Sequence, residues 1–173
     1  MNEGPVTEIL CDASTTGLGA CLVEDGTATE CFHDELTVAD EKVLGHRRGS
    51  SDGQQAWESL VILVALRIWS SKWRGRRITL RVASDSVTAL TALVKMKATG
   101  HGPAVVAREL ALDIAEALYD PSVVEHIPGV SNVAADWLSR AEKRSSSPMP
   151  PSLRNASFIS VPRRSSEWWR SLA

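Results

Sequence analysis

Four carboxylic acids in this 173-residue chain stand where acids are out of place. Asp12 directly follows the apolar run Ile9-Leu10-Cys11, in a segment that reads as a central strand. Glu58 is the only acid between residues 53 and 84, within an otherwise apolar helix pattern. Asp85 ends a β-branched strand, and Asp136 falls between Ala134-Ala135 and Trp137-Leu138 in the opening turns of a helix. A buried carboxylate is costly unless it is paired, protonated or bound to a cation. Four of them in one domain suggest a shared cation site, and an all-oxygen donor set suits Mg²⁺ or Mn²⁺ rather than Zn²⁺. Each acid alone has an ordinary reading: Asp12 as a strand-end turn, Asp85 as a helix N-cap, Asp136 and Glu58 as acids favouring the positive ends of their helices. Taken jointly, in this order of strands and helices, the shared site is the better account.

The elements that must position them follow from periodicity. Residues 8–35 read as three strands, with Glu24-Asp25-Gly26 a hairpin signal. Residues 37–53 read as a loop with at most a short helix. Asp52 and Gln55 have capping-box spacing and open a long helix. Its apolar residues, from Trp57 to Trp69, cover much of the circumference, which predicts burial on more than one side. Arg74-Gly75-Arg76 ends it, and Ile78–Ala83 reads as a strand. Asp85 starts a helix with Val87, Leu90, Leu93 and Val94 as its apolar face. Pro103 suits the first position of the next helix, where Val106, Leu110, Ile114 and Leu118 face inward. Glu109, Asp113, Glu116 and Asp120 then form a solvated stripe. Ser122–Ile127 is a strand, Pro128-Gly129 a turn, and a final helix contains Asp136. The order β-β-β-α-β-α-α-β-α predicts an α/β domain with a five-stranded mixed sheet, three antiparallel strands then two parallel ones. Residues 1–143 are expected to form this domain. Residues 144–173, rich in Ser, Pro and Arg, are expected to be a linker or tail with Trp168-Trp169 as its only strong anchor.

Composition bounds the partners. The net charge is -2, but it is segregated: residues 67–97 carry eight bases and one acid, whereas residues 1–66 carry twelve acids and three bases. Within that basic block Lys72, Arg74, Arg76 and Arg77 are candidates for phosphate contacts, beside the reading of a solvated surface. Trp73, at helical spacing from Trp69, reads as core. No apolar run reaches the ~18–20 residues of a membrane span, and the N-terminus does not read as a secretory signal. The three cysteines, at 11, 21 and 31, are too few for a disulfide scaffold and read as small buried apolar residues. The expected setting is intracellular, in cytoplasm or nucleus, with no membrane partner.

Four segments also match a family. Cys11-Asp-Ala-Ser-Thr-Thr-Gly-Leu-Gly-Ala20, Trp57-Glu58-Ser-Leu60, Ser84-Asp-Ser86 and His126-Ile-Pro-Gly-Val-Ser-Asn-Val-Ala-Ala-Asp-Trp-Leu-Ser-Arg140 resemble the ribonuclease H domain of retroelement reverse transcriptases, of the gypsy or DIRS type. The resemblance spans about residues 8–143. It implies a ribonuclease H-like fold in which Asp12, Glu58, Asp85 and Asp136 ligate two Mg²⁺ ions, with Mn²⁺ an alternative. It also implies cleavage of the RNA strand of RNA–DNA hybrids to leave a 5′-phosphate and a 3′-hydroxyl. The partners implied are the hybrid and a polymerase domain of the same polyprotein. One departure is visible. The loop between the last strand and the Asp136 helix is short, so His126 stands either as a catalytic group or as a packed strand-end histidine. Two competing readings remain: a ribonuclease H-like module that binds nucleic acid or a protein without catalysis, and another nuclease of the same general fold.

Overall fold

The strand that carries Asp12 lies inside the sheet. In the computed structural model, residues 7–72, 77–83, 100–116, 120–126 and 130–172 are described. The strands are β1 (Thr7–Ala13), β2 (Gly17–Glu24), β3 (Thr27–Glu35), β4 (Arg77–Ala83), β5 (Asp120–His126) and the short β6 (Ser157–Phe158). They form one six-stranded sheet in the order β5-β4-β1-β2-β3-β6. β1, β2 and β3 run antiparallel, while β4 joins β1 in parallel and β5 joins β4 in parallel. The mixed sheet is thus as expected in kind. It has a sixth strand that the sequence reading did not include, drawn from the segment read as a tail.

The helices are α1 (Val38–Leu44), α2 (Gln54–Ile68), α3 (His101–Ala115), α4 (Val130–Ser139) and α5 (Ala141–Ser146). Side chains alternate across a strand, and the sheet accordingly has two cores. Ile9, Cys11, Ala13, Leu18, Ala20, Leu22 and Phe32 pack with α2 and α3. Leu10, Cys21, Val23 and Cys31 pack with Ala134, Trp137 and Leu138 of α4. α2 is buried nearly all round, from Ala56 to Leu66, as its apolar circumference predicts. All three cysteines are free and buried. No described helix is long and apolar enough to cross a membrane.

Three expectations need correction. The Asp52 capping box does not form: Ser50 caps a 3-10 turn at Ser51–Gly53, and α2 starts after Gly53 with no side-chain cap. Pro103 is the third residue of α3, not the first. The acidic stripe of α3 is solvated only in part: Glu116 is exposed, but Glu109 and Asp113 are fully buried. Arg67 Nε donates to Asp113 Oδ2 at 2.8 Å and Arg67 Nη2 to Glu109 Oε2 at 3.2 Å. A periodicity argument sees one helix at a time and cannot see a cation arriving from α2.

The segment after residue 143 is also not a free tail. β6 covers the open edge of β3, which would otherwise present unpaired backbone groups. Leu153 enters the core beside α4, and Trp169 enters the α2 core at 1% exposure. Arg164 is buried on Asp40 through two 2.8 Å hydrogen bonds. Arg67 lies 4.5 Å from the Trp168 ring centroid and donates to the Trp168 carbonyl at 2.9 Å. Averaged composition hid these few well-placed anchors among Ser and Pro. The predicted helix starting at Asp85 lies outside the described residues, as do Trp73 and the Pro128-Gly129 turn.

Candidate active site

The β1–β2 turn is fastened to the end of α4. Ser14 Oγ donates to the Ser139 carbonyl at 2.7 Å and accepts from Gly17 N–H at 2.9 Å. Gly17 and Gly19 leave the space that α4 fills: a Cβ on Gly19 would lie 2.6 Å from Leu138 Cβ and 2.7 Å from the Ala135 carbonyl oxygen. Asp12 pairs with Gly19 in the ladder. The glycines therefore bring Asp136, on α4, against the end of β1.

Asp12 and Asp136 are coupled. Burial pushes the Asp12 carboxyl up to about 7, and the charge of Asp136 adds to the shift, followed by a smaller contribution from Glu58. Ala13 N–H donates to Asp12 Oδ1 at 2.9 Å and offsets part of the shift. Glu58 comes from α2, and Gln54 ties that helix to the strand end: its Nε2 donates to the Ala13 carbonyl at 2.6 Å and to Glu58 Oε1 at 3.3 Å. At Asp136, burial works to raise the pKa. Hydrogen bonds from Lys143 and Arg140 outweigh it and hold the carboxyl below the usual range. Arg140 Nε lies 2.9 Å from Asp136 Oδ1, and Lys143 Nζ bonds Oδ2.

Three of the four predicted acids, Asp12, Glu58 and Asp136, thus lie at the same end of the sheet, where β1 ends. Asp85 lies outside the described residues. β4 leads toward it: with Leu10 opposite Arg81 in a parallel pair, Ala83 ends β4 level with Asp12. His126 ends β5 opposite Ala83, at the same level. The carboxyl ends of parallel strands are where open α/β sheets place their ligands.

Of the predicted phosphate contacts, Lys72 and Arg77 lie elsewhere. α2 runs ~15 Å beyond Glu58 to reach Ile68, and Lys72 follows in a 3-10 turn with its Nζ 3.4 Å from Glu30. Arg77 begins β4, at the end of that strand away from Ala83. Arg74 and Arg76 are outside the described residues. Among the described side chains, Arg140 and Lys143 are the cations bonded to Asp136, and the sequence reading passed over both. The i,i+4 spacing of Asp136 and Arg140 was the available signal. Beside them is a hollow of about 360 Å³ lined by Thr16, Gly17, Glu35, Arg48, Ser139 and Arg144.

Comparison of the sequence with protein-family models and with curated proteins gives no match. Among solved structures, the chain is similar to RNase H1 from the halophilic archaeon Halobacterium salinarum NRC-1, with a TM-score of 0.52 and 18% identity. The match covers 78% of this chain and 92% of that one. The chain has the ribonuclease H-like fold. In this ribonuclease H-like domain the coupled acids lie on β1, α2 and α4, far apart in sequence and brought together by the sheet. Among the described residues no three His, Cys, Asp or Glu side chains stand ready-made as a metal cage. The oxygens of Asp136 face Arg140 and Lys143 instead. The donor chemistry nevertheless fits a hard divalent cation. All donors are carboxylate oxygens, the class that hard divalent cations take.

Proposed function

We propose that this chain is a divalent-metal-dependent endonuclease that cuts the RNA strand of RNA–DNA hybrids, serving as the ribonuclease H domain of a retroelement reverse transcriptase. The observation that supports the reading most is that Asp12, Glu58 and Asp136 lie at the same end of a ribonuclease H-like sheet. Asp12, Glu58 and Asp136, with Asp85, would hold two Mg²⁺ or Mn²⁺ ions. Bound there, such ions supply an activated water and stabilise the leaving 3′-oxygen of a phosphodiester. The protein's own share is positional. Gln54 holds Glu58 to the end of β1, the Ser14–Ser139 bond fixes α4, and Asp12 must give up its proton to act as a ligand. The hybrid would be recognised by backbone shape and 2′-hydroxyl groups rather than by base sequence. The products would carry a 5′-phosphate and a 3′-hydroxyl. A polymerase domain in the same polyprotein is the proposed partner, in the cytoplasm or nucleus.

A binding-only module is the second reading, because Arg140 and Lys143 already neutralise Asp136, as a site without catalysis would retain. A cleavage assay with Mg²⁺ on RNA–DNA hybrid, duplex DNA and single-stranded RNA decides between them. Cleavage of hybrid alone, abolished in Asp12→Asn, Asp85→Asn and Asp136→Asn, is expected. Hybrid bound but left uncut by the unaltered chain would favour the module. Cleavage of duplex DNA would point to another nuclease of this fold.

A further inference from the structure

Asp136 is held from two directions. Arg140, just past the end of α4, bonds Oδ1, while Lys143, from α5, bonds Oδ2, so each carboxylate oxygen faces a protein cation. These cations are unlike the buried Arg164 and the largely covered Arg67 elsewhere in the fold. The Lys143 side chain is 48% exposed and that of Arg140 40% exposed. Pairs this open to water contribute about 0–1 kcal/mol and separate easily. Arg140 also has a second acid within reach, Glu142 at 3.9 Å. The long lysine stem lets its ammonium swing into solvent. Asp12, by contrast, is bonded through the Ala13 amide, which donates to its Oδ1 at 2.9 Å.

We infer that Lys143, backed by Arg140, is a displaceable counter-cation that occupies the carboxylate cluster and sets the divalent-ion concentration at which the site fills. The inference rests on the reading of Asp12, Glu58 and Asp136 as a cation site. An incoming divalent ion competes with Lys143 for Asp136 Oδ2, so the observed affinity is lower than the carboxylates alone would give. Removing the lysine charge removes the competitor and also one nearby repulsive charge.

The test is Mn²⁺ binding to the full chain without nucleic acid, followed by the electron paramagnetic resonance signal of free Mn²⁺. Lys143→Met should bind Mn²⁺ roughly three- to tenfold more tightly, a range consistent with loss of one partly exposed charge contact. Lys143→Arg, which keeps the charge, should stay near the unaltered chain. Arg163→Gln, an exposed cation in the C-terminal segment, should leave affinity unchanged. Equal affinity in Lys143→Met overturns the inference. So does an equal gain in Arg163→Gln, which would show that net charge alone matters. Absence of saturable Mn²⁺ binding in both the unaltered chain and Asp12→Asn would instead remove the cation-site reading, and the inference with it.

Discussion

Gly19 and Leu138 touch so closely that no side chain fits between them: a Cβ on the glycine would sit 2.6 Å from Leu138 Cβ and equally close to the Ser139 amide. That contact sets the distance between the strand bearing Asp12 and the helix bearing Asp136. Gly19→Ala should therefore push α4 outward. Overpacking of this kind destabilises by about 1–3 kcal/mol, to be read from urea unfolding. Mn²⁺ affinity should fall with it, because the two aspartates part. A variant of unchanged stability would mean that α4 yields freely and does not fix the site.

Asp12 makes stability depend on pH. Its carboxyl is raised from 3.8 to about 7 in the fold, so the folded chain holds this proton more tightly than the unfolded one. Below about pH 4 both states are protonated and the group is neutral toward folding. Stability is lost as pH rises between about 4 and 7, and the full loss, on the order of 2–4 kcal/mol, is present above that. In chelator, Asp12→Asn should melt higher than the unaltered chain at about pH 8 and match it at about pH 4. Equal melting at the higher pH would show that Asp12 ionises without strain.

Trp169 joins the C-terminal segment to the α2 core at 1% exposure. Trp169→Ala should destabilise by about 3–5 kcal/mol. A chain ending at Lys143 loses Trp169, Leu153, β6 and the Arg164–Asp40 pair together. It should fail to unfold cooperatively in a thermal scan. A truncated chain melting within a few degrees of the full one would restore the reading of residues 144–173 as a dispensable tail.

Arg67 compensates two acids that have no exposure, Glu109 and Asp113. Breaking a buried pair from one side typically destabilises by about 3–5 kcal/mol. Arg67→Met should show a loss of that size in denaturant midpoint, and adding Glu109→Gln should recover part of it. No recovery would mean that Arg67 acts mainly through the Trp168 ring and carbonyl.

Much of this protein was legible in the sequence. Short apolar runs and a hairpin turn signal placed β1 to β3, the apolar circumference of α2 declared its burial, and Asp12, Glu58 and Asp136 stood out because acids rarely sit in apolar surroundings. Those are local signals, carried by a residue and its near neighbours. Tertiary structure decided what depends on contacts across the chain. Arg67 turns Glu109 and Asp113 of α3 from expected surface residues into a buried ion cluster, and Trp169 turns a Ser- and Pro-rich tail into a core element. Lys143 reaches Asp136 from a helix after the one that carries it. Charge neutralisation and edge pairing depend on which groups become neighbours after folding, and neither hydrophobic period nor composition encodes that neighbour.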